Sequence, residues 1–223
     1  MKKELLIGLT GWTDKHWQAK IKEIKHYKIK EVAVFLEQFS KTKRLKIYNA
    51  LAQTKINEIP LVHSREDLTK AEMLLLIKKY KTKYFTIHEN HFNNLPNWHG
   101  YYKNLFLELD YDNDVSKNVK VEKVGGFCID LAHFKVEEEK WTKEFEYIMK
   151  RKSFNKYFSC NHLSGYSPNK NIDLHTVKSE HDFSYLKILP KFIFGKVIAI
   201  EIYNSIKEQI QYQKYLKKII SKI

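Results

Sequence analysis

GFCIDLAHF, residues 126–134, begins as a short apolar run and ends on a carboxylate, Asp130, with an imidazole, His133, three positions further on. A brief apolar run entered through glycine reads as a buried strand. Polar side chains gathered at its end suggest that the tip faces a cavity. One segment of this kind decides little; its recurrence decides the fold. β-type runs return at residues 5–10, 32–39, 59–63, 84–88, 105–109, 157–162 and 196–202, which with 126–130 makes eight. Between them, residues 68–80, 138–150 and 206–219 carry apolar side chains at helical spacing, with lysines on the outer faces. Thr69-x-x-Glu72 and Ser205-x-x-Glu208 have the form of capping boxes. Residues 90–104 are rich in Asn and aromatic side chains, contain Pro96 and Gly100, and read as loop with at most one helical turn.

Strands alternating with helices imply parallel pairing. Eight such units imply an α/β fold of the (β/α)8 TIM-barrel type, one domain over residues 1–223. No Pro/Gly/Ser linker and no shift in composition divides the chain.

Hydrophobic residues make up 43% of the chain and aromatics 14%, enough for a packed core and too many for a disordered polypeptide. The opening MKKELLIGLTGW has two lysines before an apolar run, but Glu4 interrupts it and no small-residue cleavage site follows. It reads as a first strand. No apolar run approaches the roughly 20 residues needed to cross a bilayer, so no membrane partner is expected. Cys128 and Cys160 each lie two residues before a polar strand end, so strand alternation points both inward. Buried, reduced thiols are expected, as in a cytoplasmic protein. The net charge of +14 suits a polyanion such as DNA, yet the only arginines are Arg44, Arg65 and Arg151. A lysine excess in a chain this rich in Ile, Asn, Tyr and Phe is equally the mark of compositional bias.

In a barrel of this kind chemistry collects at the C-terminal ends of the strands. Those ends read, in order, His63, His88, Glu108, Asp130 with His133, His162 followed by Asp173 and His175, and Glu201. Asp173-x-His175 presents two ligands on one side of an extended segment, because the strand period is two. Asp130-x-x-His133 needs a turn, which a strand end provides. A lone histidine is usually an ordinary one, and His16, His26, His99 and His181 fall outside the pattern, while His91 lies close to it. Glu201, inside an apolar run, needs a partner or a metal. Imidazole and carboxylate without thiolate indicate Zn²⁺ or Mn²⁺, and nine ligands suggest two or three ions sharing a carboxylate.

The ordered set resembles the xylose isomerase-like TIM-barrel superfamily of sugar isomerases, epimerases and endonuclease IV, over the whole chain. It is most similar to the trinuclear zinc site of endonuclease IV. That resemblance implies one ion on His63, His88 and Glu108, and a second on Glu108, Asp130, His162 and Glu201. A third would rest on His133, Asp173 and His175. It implies hydrolysis of phosphodiester bonds at abasic or damaged DNA. The alternative within the superfamily is a sugar or sugar-phosphate isomerase or epimerase, with Glu108 and Glu201 as the catalytic acid/base pair. The segments HENHFNN, ELD and DLHTVKSEHD depart from the endonuclease pattern in loops, where DNA would be gripped.

Overall fold

Glu4–Leu6 (β1) and Gly8–Leu9 (β2) are two halves of one strand, and through them the sheet closes on itself. The computed structural model describes residues 3–223. The remaining strands are β3 (Ala33–Phe35), β4 (Leu61–His63), β5 (Tyr84–His88), β6 (Leu105–Glu108), β7 (Gly126–Asp130), β8 (Phe158–Leu163), β9 (Gly165–Ser167), β10 (Ile172–Leu174) and β11 (Val197–Ile200). The parallel sheet runs β1-β11-β8-β7-β6-β5-β4-β3-β2. β1 lies beside β11 with Leu5 opposite Ile198, and β2 lies beside β3 with Leu9 opposite Val34. Counting β1 and β2 as one gives the eight expected staves of a TIM barrel. Gly8 is required at the break, since a Cβ there would meet the Ile200 carbonyl oxygen at 1.9 Å. Its exposed backbone groups are taken up by Gln209, which accepts from the Gly8 N–H at 2.8 Å and donates to its carbonyl at 3.1 Å.

Alternation along each strand sorts the side chains. Leu6, Phe35, Leu61, Phe106, Cys128, Cys160 and Ala199 form a small inner cluster. Their neighbours Val34, Val62, Leu107, Phe127, Ile129 and Ile198 belong to the larger cluster beneath the helices. Two residues beyond the inner apolar layer, five strands arrive at a polar group: Leu61 leads to His63, Phe106 to Glu108, Cys128 to Asp130, Cys160 to His162 and Ala199 to Glu201. The apolar layer is therefore the floor of the site. Both cysteines are free, fully buried and opposite one another in adjacent strands.

The helices are α1 (Asp14–His26), α2 (Lys41–Ala52), α3 (Lys70–Tyr80), α4 (Leu131–Lys140), α5 (Lys143–Met149) and α6 (Ile206–Ile220). Both capping boxes are present, at Thr69 and at Ser205. Three expectations need correction. Residues 138–150 are not one helix: α4 starts directly at the end of β7, Trp141 ends it in the left-handed region at φ 53°, and Thr142 caps α5. Residues 90–104 hold more helix than a single turn, because Glu89–Trp98 and Tyr102–Asn104 are 3-10 segments. Four asparagines of low helix propensity and Pro96 lie within the first and disfavour a regular α-helix there. Trp98 anchors it, fully buried and donating to the Leu68 carbonyl at 2.7 Å. The alternation of strands and α-helices is also incomplete, since the β5–β6 and β6–β7 crossovers contain 3-10 turns only and the β8–β11 crossover holds the β9–β10 hairpin and 3-10 turns. No helix among the described residues is long and apolar enough to cross a membrane.

Candidate functional site

His63, Glu108, Asp130, His162 and Glu201 are all buried at the C-terminal ends of their strands. His162 stands at the centre. Its Nδ1 lies 3.1 Å from Glu108 Oε1 and 3.1 Å from Glu201 Oε2, and its Nε2 lies 3.2 Å from the Thr86 hydroxyl. His63 faces the same carboxylates, with Nε2 3.3 Å from Glu108 Oε2 and Nδ1 3.7 Å from Glu201 Oε1.

Asp130 serves two structures. Its Oδ1 caps α4, accepting from the Ala132 and His133 N–H groups at 2.8 and 2.9 Å. Its Oδ2 is buried without a hydrogen-bond partner. The cap explains the Asp-x-x-His spacing, because a helix that starts on Asp130 turns His133 back toward the barrel mouth. There His133 Nε2 is 4.0 Å from Asp173 Oδ2, on the β9–β10 hairpin, and His175 Nε2 is 3.0 Å from the same oxygen. His175 Nδ1 lies 3.1 Å from the Glu201 carbonyl oxygen, which joins this outer group to the inner one. With His88, whose ring centroid is 4.9 Å from that of His63, all nine residues read from the sequence lie around one mouth.

The sequence reading missed Glu37. Its Oε2 lies 3.2 Å from His63 Nε2 and 3.1 Å from His88 Nε2. The signal was there: Ala33, Phe35 and Glu37 share one parity, and β3 ends at Phe35, so Glu37 is the polar tip of its stave. Reading that strand through to residue 39 hid it. Asp110 was also passed over; its Oδ1 is 3.0 Å from His88 Nδ1. Two aromatics hold the outer group. The Tyr111 hydroxyl donates to Asp173 Oδ1 at 2.9 Å, and Tyr203 stacks on His175 with ring centroids 5.3 Å apart. His91 is buried with its ring 5.8 Å from that of His88, whereas His16, His26, His99 and His181 are exposed.

Charge pairing overrides burial at most of these groups. Burial alone would raise the Glu37 carboxyl, but His63 and His88 hold it at about 2. Burial likewise opposes ionisation of Asp173 and His175, yet their mutual contact sets them at about 2 and about 10. Glu201 is held well below the usual carboxylate range against its burial, by His162 and His63. Asp130 goes the other way: burial raises it more than His133 lowers it.

The donor set fits divalent metal. His63 Nδ1 and Nε2, Glu108 Oε2, Asp130 Oδ2 and His133 Nδ1 are buried with no hydrogen-bond partner, although carboxylates and imidazoles face one another at ion-pair range. Orphaned buried polar atoms each cost about 1–3 kcal/mol unless something takes them up. Donor atoms lie within 4.8 Å of one another in three groups: Glu37, His63 and His88; His63, His162 and Glu201; and Glu108, Asp130, His162 and Glu201. Two groupings depart from those the resemblance implied: Glu37 takes the place of Glu108 beside His63 and His88, and His133, Asp173 and His175 do not bring three donor atoms within 4.8 Å of one another. Neither buried thiol belongs to these groups, and burial pushes Cys128 well above the ordinary thiol range. A cleft of about 510 Å³ opens beside the site, lined by Glu37, Arg65, His88, His91 and Asp110 among others.

Fold and site together define a parallel TIM barrel with a buried carboxylate–imidazole centre at one mouth. No protein-family model matches the sequence, and no curated protein matches it.

Proposed function

We propose that the chain is a divalent-metal-dependent phosphodiesterase of the xylose isomerase-like superfamily, resembling endonuclease IV and acting on abasic or damaged DNA. The observation that carries this reading is the outer group of His133, Asp173 and His175, with Asp173 Oδ2 3.0 and 4.0 Å from the two imidazoles. A single-ion enzyme has its full ligand set in Glu108, Asp130, His162 and Glu201, and has no use for a second acid–imidazole group beside it. Zn²⁺, as two or three ions, suits these donors, with Mn²⁺ next. His63 and His88 with Glu37 or Glu108 would hold one ion, the four inner residues another, and the outer group the third. When bound, such ions supply positive charge that acidifies water to a pKa of about 7 and stabilises the oxygens of a phosphodiester as its bond is exchanged.

The chain's own groups do the rest. Glu108 is placed to be shared, with one oxygen toward His162 and the other toward His63. Tyr111 and Tyr203 fix Asp173 and His175, so the outer group is oriented before substrate arrives. Arg65, on the wall of the cleft, offers a guanidinium to an anionic substrate. Free buried thiols accord with a reducing, cytoplasmic setting.

A second reading draws on the inner group alone. Glu108 and Glu201 both contact His162 Nδ1 at 3.1 Å, and they would act as acid and base across one carbon of a sugar or sugar phosphate held by a single ion.

The double variant Asp173→Ala/His175→Ala separates the two. For the phosphodiesterase it should remove about one ion per chain and abolish nicking of abasic DNA. For the isomerase it should leave one ion in place and reduce sugar turnover modestly, while Glu201→Gln destroys turnover. Metal content, nicking and sugar turnover are scored on the same preparations. A wild-type protein that binds one ion and ignores abasic DNA sinks the nuclease reading.

A further inference from the structure

Behind His88 lies a second set of carboxylates that the mouth does not use. Glu89 starts the 3-10 segment after β5, Asp112 stands on the loop after β6, and Glu144 is in α5. One carboxylate oxygen from each lies within 4.8 Å of the others. Acidic groups alone do not make a site; two of these, Glu89 and Glu144, are distinguished by burial. Glu144 is 0% exposed and Glu89 6%, and the Oε2 of each has no hydrogen-bond partner. Glu137 of α4, 1% exposed, also leaves its Oε2 unpartnered. Among the described residues no basic side chain lies within ion-pair range of Glu89, Asp112, Glu137 or Glu144, and Lys135 and Lys150 pair with Glu138, Glu139 and Glu146 instead. The loop is already folded onto this group, for the Asp114 N–H donates to Glu144 Oε1 at 2.7 Å and to Asp112 Oδ1 at 3.0 Å.

We propose that Glu89, Asp112 and Glu144, with Glu137 behind them, form a second cation site, separate from the mouth, for a hard divalent ion of the Ca²⁺ or Mg²⁺ class. The donors are all oxygen, with neither imidazole nor thiolate, which selects such ions over Zn²⁺. Burial next to Glu144 pushes the Glu137 carboxyl well above its ordinary range, the response of an acid cluster whose charge has no counterion. A bound ion would supply that counterion. It would also fasten the loop bearing Asp110 and Tyr111, both of which touch the mouth, to α5.

The experiment uses the protein as purified, its zinc content recorded, dialysed to equilibrium against CaCl₂ or MgCl₂ and read by atomic emission and thermal melting. The expected result is about one Ca²⁺ or Mg²⁺ per chain and a higher melting temperature. Glu144→Gln should abolish this uptake, and Asp112→Asn should weaken it at least about tenfold, with zinc content unchanged in both. Asp112 is exposed, so its variant decides the matter if Glu144→Gln does not fold. No uptake by wild type up to about 10 mM, beyond the range of weak protein calcium sites, overturns the proposal. So does uptake that neither variant alters. The inference is independent of the phosphodiesterase reading: calcium uptake with no zinc and no nicking would sustain this site and sink the other.

Discussion

Lys20 shows how far one residue's surroundings can move its chemistry. It is 3% exposed, and its Nζ donates to the Thr10 hydroxyl at 2.5 Å and to the Ile202 carbonyl at 2.7 Å. Both acceptors are neutral, so burial lowers the ammonium to a pKa of about 7 although Glu23 and Glu208 pull it back up. The unfolded side chain titrates near 10.5. Between those values the unfolded chain holds more protons than the folded one, and stability therefore rises with pH across that window. Urea unfolding at pH 7 and pH 9.5 should show wild type gaining on the order of 2 kcal/mol, a gain that Lys20→Met loses. Parallel profiles for the two proteins would show that the lysine keeps its proton throughout. Asp130 makes the complementary point about what a sequence discloses. Its place at a strand end was legible from parity, but its second duty as the cap of α4 was not, because LAHFKVEEEK has apolar side chains on several faces. Leu131, Ala132, Phe134 and Val136 are all buried, which blurs the helical period.

At the scale of elements, α2 and α3 are locked by one buried ion pair. Arg44 is fully buried; its Nε and one Nη donate to the two oxygens of Glu72 at 2.8 and 3.1 Å, and its other Nη to the Phe39 carbonyl at 2.9 Å. Glu72 also closes the Thr69 capping box and accepts from the Tyr48 hydroxyl at 3.1 Å. The second Nη group of Arg44 also meets Asp67 Oδ1 at 2.6 Å, but Asp67 is half-exposed, so removing Glu72 leaves the buried guanidinium with a single partner at the surface. Glu72→Ala should therefore cost about 3 kcal/mol in urea unfolding at pH 7, the low end for a broken buried pair, while Arg44→Met/Glu72→Met recovers much of it. A loss below about 1 kcal/mol would show that water reaches Arg44. The sign with pH follows from Glu72, whose carboxyl Arg44 holds below its ordinary 4.5 against burial, so this stability is present above 4.5 and fades as pH falls beneath it. The capping half of this arrangement could be read from Thr69-x-x-Glu72, since its partners are three residues apart. The Arg44 half could not, for that contact spans 28 positions and belongs to the packing of two crossovers.

Across the whole molecule, topology decides where the charge of +14 can act. Loops that lead into strands lie on the face opposite the mouth, and they carry Lys28, Lys55, Lys83, Lys156 and Lys196. The helices α1, α3 and α6 end on that face too, with basic last turns at Lys25, Lys78 and Lys79, and Lys217 and Lys218, where cations complement the helix dipole, whereas Lys140 at the end of α4 lies over the Tyr111 ring beside the mouth. The mouth gathers the carboxylates instead. Much of the lysine excess is thus placed for helix ends and strand-entry loops, and under the proposed phosphodiesterase reading DNA would have to rely on the few bases beside the site. Arg65 is the foremost, two residues past His63 on the wall of the cleft. Binding of an abasic duplex, measured by fluorescence anisotropy over a salt series, tests this partition. Lys55→Gln/Lys83→Gln/Lys196→Gln should change affinity by no more than about twofold and leave the slope of log K against log salt unaltered. Arg65→Gln should weaken binding and make that slope shallower by about 0.9, the signature of one lost phosphate contact. If the three distal lysines flatten the slope and Arg65 does not, DNA lies on the face away from the carboxylates. The centre at the mouth would then have to act on a small molecule, and the sugar chemistry of Glu108 and Glu201 would take precedence.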